Sequence, residues 1–232
     1  MKVAVFGDSY ADEIMNKNEV NYKSWVELLR EKYYPDLTCY GMSGSSLYFS
    51  YNLFLEHQSK FDKIIFVTTT PGRILIPKYI KFNGNRAHLM YHINSIDTAI
   101  QHLDEPAMTE EGILATKAAI EYFKYLHDPV KDKRLYNLMK EHIRKIRSDT
   151  IMIETMMNGL SDISYYEFNP TGYRDPNMWK CRDARMCHLS PRNNEILADK
   201  MFEWCNGVSI KIDVKDFEVP SKEELERLVY IR

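Results

Sequence analysis

The chain of 232 residues lacks any long apolar run. None approaches the roughly 18 residues that a membrane-spanning helix requires. The apolar segment at the start, Val3 to Phe6, is too short for a secretory signal and ends in Gly7-Asp8-Ser9. No membrane span is expected, and a cytoplasmic location is. The chain also lacks an excess of charge of one sign. Lys and Arg number 31 against 33 Asp and Glu, for a formal net charge of −2. That leaves no basic footprint for nucleic acid. Cysteine is sparse, with four residues and no C-x-x-C pair, so the usual structural zinc spacings are excluded. A chain of this length needs no disulfide framework, and reduced thiols are expected. A Cys181–Cys187 bridge is the alternative for an exported protein. His88, His92, His102, His127 and His142 have no acid or cysteine at ligand spacing, so neither a metal nor another cofactor is expected. No internal repeat or low-complexity tract is present.

What is present is a globular composition, with 44% hydrophobic and 28% charged residues. The length fits one large domain with a sizeable core. Val3 to Phe6 is a short, partly β-branched run closed by a turn signal, which predicts a buried strand followed by a loop. Helical spacing over 22–34 ends at Pro35-Asp36. Leu37 to Tyr40 then predicts a second strand, and residues 47–60 a second helix. Lys63 to Val67 is the strongest strand candidate. This β-loop-α alternation predicts a parallel, doubly wound sheet. Residues 74–107 read as loops with short helices, and 109–147 as two helices separated at Asp128-Pro129. A fourth strand is predicted over 150–154, an irregular segment over 155–182, and a helix from Pro191 to about Trp204. The domain division is 1–207 for the main unit, with a helical insertion over about 78–147, and 208–232 for a C-terminal extension. Within the extension, Val208 to Val214 alternates like a half-exposed strand.

Small polar residues gather at the predicted strand ends. They are Gly7-Asp8-Ser9, Gly41-Met42-Ser43-Gly44 and Thr68-Thr69-Thr70, with Asp183 and His188 in a later loop. In a parallel sheet these loops share one edge, where ligands bind in open α/β folds. A serine, a histidine and an aspartate there are the parts of a nucleophilic site.

These blocks resemble those of the SGNH hydrolases, the GDSL-like lipases and esterases. Gly7-Asp8-Ser9 after an N-terminal strand is similar to the block that holds the nucleophilic serine. Gly41-Met42-Ser43-Gly44-Ser45 resembles the block whose glycine amide lines the oxyanion hole. His188-Leu189-Ser190-Pro191 and the helix after it resemble the block of the catalytic histidine. The resemblance spans residues 1 to about 204. It implies a three-layer α/β/α, flavodoxin-like fold with a parallel sheet of about five strands.

For function, the resemblance implies a serine esterase working through an acyl-enzyme. Ser9 is then the nucleophile, His188 the base and Asp183 the acid that orients it. The amides of Ser9 and Gly44 would form the oxyanion hole, with Thr70. Arg73 is a possible further donor or substrate contact. The chain departs from the family at two places. The family's Gly-x-Asn-Asp block is replaced by Thr68 to Arg73, and Asp183 stands five residues before His188 instead of three. The expected partner is a small-molecule or carbohydrate ester with a short acyl group, O-acetyl among the candidates. The alternatives are an SGNH scaffold that binds without turnover and an acyltransferase. The sequence leaves the oligomeric state open.

Overall fold

Strand β1 (Val3–Gly7) sends Val3 and Val5 to one side and Ala4 and Phe6 to the other. All four are fully buried in the computed structural model. A strand has a side-chain period of two, so a run that is apolar at every position must be covered on both faces. Strands β3 (Lys63–Thr68) and β6 (Ile151–Glu154) follow the same logic. Ile65, Val67, Ile151 and Ile153 join Val3 and Val5, while Ile64, Phe66 and Met152 join Ala4 and Phe6.

The structure describes residues 1–13, 23–42, 44–69, 71–82, 85–91, 110–154, 163–164, 189 and 191–210. Strand β2 (Thr38–Gly41) lies on one side of β1, and β3 on the other. With β7 at Ile163–Ser164, the sheet order is β2-β1-β3-β6-β7, and every pairing is parallel. Taking the parallel strands in chain order, this is the flavodoxin-like arrangement. Four strands carry the sheet, and β7 (Ile163–Ser164) adds two residues at its end. The expected α/β class and parallel sheet therefore hold, with the fifth position reduced to a short pairing.

Helices α1 (Trp25–Lys32) and α5 (Pro191–Cys205) cover one face, through Trp25, Leu29, Leu197 and Met201. Helices α2 (Leu47–His57) and α4 (Pro129–Ile146) cover the other, through Phe54, Tyr136 and Ile143. The start of α1 is fixed by a capping box between Ser24 and Glu27. Helix α4 starts at Pro129, with the Asp128 carboxylate accepting from the amides of Val130 and Lys131.

The stretch from 74 corrects one expectation. Strands β4 (Ile74–Phe82) and β5 (Asn85–Tyr91) form an antiparallel hairpin in place of loops and short helices. Asn83-Gly84, taken as loop residues in the sequence, is also a strong hairpin signal, and Pro77 lies within the first strand, where proline disfavours a continuous ladder. The ladder accommodates it by a register shift between Ile76 and Tyr79. Helix α3 (Glu110–Tyr125) packs against this hairpin. Residues 208–210 of the expected C-terminal strand have no regular structure, and the rest of that stretch lies outside the described residues. So do the aromatic residues Tyr165, Tyr166, Phe168, Tyr173 and Trp179. No described helix is long and apolar enough to cross a membrane.

Candidate active site

The chain leaves β1 in a tight turn. The Ala11 amide donates to the Asp8 carbonyl at 2.9 Å, and the Tyr10 amide to Asp8 Oδ1 at 3.1 Å. An aspartate that accepts from the amide two residues on shapes the turn by itself. Ser9 lies inside this turn, half-buried at the carboxyl end of β1. The turn is held from outside by the Trp25 indole, which donates to the Tyr10 carbonyl at 2.8 Å. Beneath it, Gly41 ends β2 so close to the turn that a Cβ there would meet the Ala11 backbone at 2.4 Å. A Gly41→Ala change must therefore push the turn away. Its expected effect is a destabilisation of about 1–3 kcal/mol, read from the denaturant midpoint. The Cys39 thiol also lies under the turn, 2.9 Å from the Ala11 carbonyl. Burial pushes it up to about 12, as it does the Cys205 thiol, so both described cysteines are poor nucleophiles near neutral pH.

The loop after β2 is tied to the same point. The Gly7 carbonyl accepts from the Met42 amide at 3.1 Å, from Ser45 Oγ at 3.1 Å and from Ser50 Oγ at 3.2 Å. Between Met42 and Ser45, Gly44 takes a left-handed backbone with φ of 78°. The Gly44 loop and the Ser9 turn are thus fastened to one carbonyl. The α2 helix begins immediately afterwards, with the Ser46 side chain accepting from the Phe49 amide.

The loop after β3 supplies the charge. Arg73 Nη1 donates to Asp8 Oδ2 at 3.1 Å and to the Ser45 carbonyl at 3.4 Å. The pair is buried, with side-chain exposures of 11% for Arg73 and 0% for Asp8. Burial pushes the Asp8 carboxyl above its usual range, and the Arg73 charge draws it part of the way back. The Thr69 side chain, buried beside the same carboxyl, adds to that pull, although its hydroxyl makes no well-formed hydrogen bond. Arg73 therefore clasps the ends of all three preceding strands. Among the described residues it engages Asp8 and Ser45, a role that a lone arginine in a polar loop did not disclose in the sequence.

Ser9, Gly44 and Arg73 are brought to one sheet edge. Thr70, Asp183 and His188 lie outside the described residues. The neighbour of His188 is described. Leu189 is buried on the α1/α5 face, and its carbonyl accepts from Asn194 Nδ2 at 3.0 Å. Asn194 Oδ1 in turn accepts from the Trp25 amide at 2.8 Å. One amide side chain thus joins the start of α1 to the residue after His188. Only the contact across the fold reveals this, because an asparagine in the first turn of a helix is ordinary. Asn194→Ala leaves both backbone groups without this partner. It is expected to lower stability by about 1–3 kcal/mol in equilibrium unfolding.

No protein-family description matches the chain, and no curated protein matches it either. Among solved structures, the chain is similar to the crystal structure of an acetyl xylan esterase, AlAXEase. The sequence identity is 14%, the match covers 88% of this chain and 99% of that one, and the TM-score is 0.36. A likeness this slight carries no argument about what the chain does.

Proposed function

We propose that the protein is a serine hydrolase of acyl esters, with Ser9 as nucleophile, His188 as general base and Asp183 as the acid that orients it. In this reading Ser9 Oγ attacks the acyl carbonyl carbon while His188 takes its proton. The oxyanion accepts from the amides of Ser9 and Gly44 and from the Thr70 hydroxyl. The carbon–oxygen bond to the alcohol breaks, and the alcohol leaves with the proton from His188. Water then attacks the Ser9 ester, giving its proton to His188. The acid departs as that proton returns to Ser9 Oγ.

One observation carries the reading. A Gly-Asp-Ser turn stands at the carboxyl end of an interior strand, fastened to a second small-residue loop through the Gly7 carbonyl. The strand end is where open α/β sheets bind ligands. Asp8 is excluded as a nucleophile by its burial and its pairing with Arg73. The substrate proposed is an ester of a short acyl group, with an O-acetylated carbohydrate among the candidates.

A second reading, a scaffold that binds an ester without turnover, draws on Arg73. Its Nη1 is engaged by Asp8 and Ser45, so that nitrogen does not replace the asparagine donor missing from the third block. A fluorophosphonate probe separates the two readings. Labelling of the folded wild type at Ser9, absent in Ser9→Ala, is the expected result. A folded wild type that stays unlabelled supports the binding scaffold and removes Ser9 as nucleophile.

A further inference from the structure

Helices α2 and α4 lie on the same face of the sheet, and a cavity of about 600 Å³ opens between them. Its α4 wall runs from Asp132 to His142, which makes a groove about 15 Å long at 1.5 Å per residue. Large apolar side chains are left uncovered on both walls. Tyr48 on α2 is 64% exposed, and Leu135 and Leu138 on α4 are 47% and 59% exposed. Exposed apolar residues gathered at one concave place mark a site of interaction. The head of the cavity is different. There Arg73 Nε and Asp132 Oδ2 are both buried without a hydrogen bond, although Asp132 Oδ2 lies 3.1 Å from His127 Nε2. At the far end the Tyr51 hydroxyl and His142 Nδ1 share a 2.6 Å hydrogen bond. The apolar part is the body between these two polar ends.

Helix α4 also carries an unbalanced charge. It holds six Lys and Arg against Asp132 and Glu141, in a chain whose formal net charge is −2. Asp132 faces His127, which leaves Glu141 as the exposed acid of the helix. Lys131, Arg134, Leu138, His142 and Lys145 follow one another at three- and four-residue steps, and Leu135 lies one turn from Lys131. Such steps place all six on one stripe of the helix. Lys131, Arg134 and Lys145 are exposed and make no ion pair among the described residues. The apolar α4 lip of the groove is thus bordered by three solvated cations.

We infer that this groove is a docking site for an acidic amphipathic helix of another protein. The apolar side chains of that helix fill the body of the groove, and its carboxylates face Lys131, Arg134 and Lys145. A groove of about 15 Å takes about three turns of helix, which present apolar residues at i, i+3 or i+4, and i+7. Opposite charges at the edge of such an interface select the partner and speed its encounter. Other occupants match fewer of these features. A flat bilayer surface would span a concave cavity and leave its body unfilled. A second copy of this chain, seated by the same face, would bring the cationic stripe up against itself. A nucleic acid would use the cations but not Tyr48, Leu135 and Leu138. None of the residues of the groove body or the stripe takes part in the proposed Ser9 chemistry, so the docking site stands or falls independently of it.

The test uses a fluorescein-labelled peptide of about 14 residues, with leucine at i, i+3, i+4 and i+7 and glutamate at most other positions. A scrambled peptide of the same composition is its control. Fluorescence anisotropy is read for wild type, Leu138→Glu and the double variant Lys131→Glu/Arg134→Glu. All three positions are exposed, so the substitutions are expected to leave the fold intact, which thermal melts check. Wild type is expected to bind the amphipathic peptide saturably, and the scrambled one about tenfold more weakly or less. Each variant is expected to weaken binding of the amphipathic peptide by about tenfold or more, and added salt to weaken it in wild type. A folded wild type that does not bind overturns the docking site, as does binding that neither scrambling nor the variants change. Two parallel measurements check the other occupants. Wild type that sediments with phosphatidylglycerol vesicles but does not bind the peptide, with Leu138→Glu losing the vesicles, gives the groove to a lipid surface. A wild-type dimer in analytical ultracentrifugation that Leu138→Glu dissociates gives it to a second copy. Either result overturns the proposal.

Discussion

Ser9→Ala is expected to lower kcat/KM for a p-nitrophenyl ester by about 10⁴-fold or more while leaving the fold intact. The size follows from how nucleophilic sites work. Nucleophile, base and oxyanion donors act as a unit, and without the nucleophile only binding and polarisation of the ester remain. The structural effect is small by comparison. Ser9 is half-buried in a turn shaped by the Asp8 side chain and the Trp25 indole, neither of which the substitution touches. The stability change is expected to stay within about 1 kcal/mol. Kinetics and a thermal melt on the same preparation check both halves. A variant that keeps a tenth of the wild-type rate assigns the hydrolysis to some other residue.

The second large effect is on stability. Arg73→Met is expected to destabilise the protein by about 3–5 kcal/mol near neutral pH. The substitution removes the one ionic partner that the Asp8 carboxylate has among the described residues, and that carboxylate is fully buried at 0% side-chain exposure. It also releases the Ser45 carbonyl. Adding Asp8→Asn to Arg73→Met is expected to recover much of the loss, because the double variant no longer buries an unpaired charge. A double-mutant cycle in urea measures the recovery. If the double variant is as unstable as the sum of the two single ones, the pair is not coupled.

The pH dependence has a definite sign. Burial raises the Asp8 pKa in the folded protein above its ordinary value of 3.8, against the pull of Arg73. The unfolded chain therefore releases this proton first as pH rises. The contribution of Asp8 to stability is fully present below pH 3.8 and is lost as pH rises through its higher folded value. Removing Arg73 takes away an influence that lowers this pKa, so the penalty of Arg73→Met is expected to shrink toward acid pH. Unfolding midpoints measured from acid to neutral pH read this directly. A penalty that grows toward acid pH contradicts the assignment.

Much of the framework was legible because it follows from local patterns. Val3 to Phe6 and Lys63 to Val67 are apolar at successive positions, and such a run must be covered on both faces. The breaks at Pro35-Asp36 and Asp128-Pro129 mark helix limits through backbone chemistry within a few residues, whereas the Ser24 cap that starts α1 inside the predicted 22–34 stretch came only with the structure. The hairpin β4–β5 was not legible because Asn83, Gly84, Asn85 and the nearby histidines read as loop residues, and only the paired ladder with its shifted register shows two strands there. In the candidate site, the position of Ser9 after a central strand was legible from the short run that precedes it.

The sequence by itself therefore determined the α/β class, the strands and helices of the framework and the place of the Gly7-Asp8-Ser9 turn. Each depends on residues close together along the chain. Only the tertiary structure decided what surrounds that turn. Arg73 reaches Asp8 across 65 positions, Ser45 reaches the Gly7 carbonyl across 38, and Asn194 reaches Trp25 across 169. The cavity between α2 and α4 likewise needs the two helices to settle side by side on one face. Such contacts arise from the order in which strands join the sheet, which no local propensity encodes. Their strength comes from burial, which removes the water that would otherwise compete for the same charges and amides.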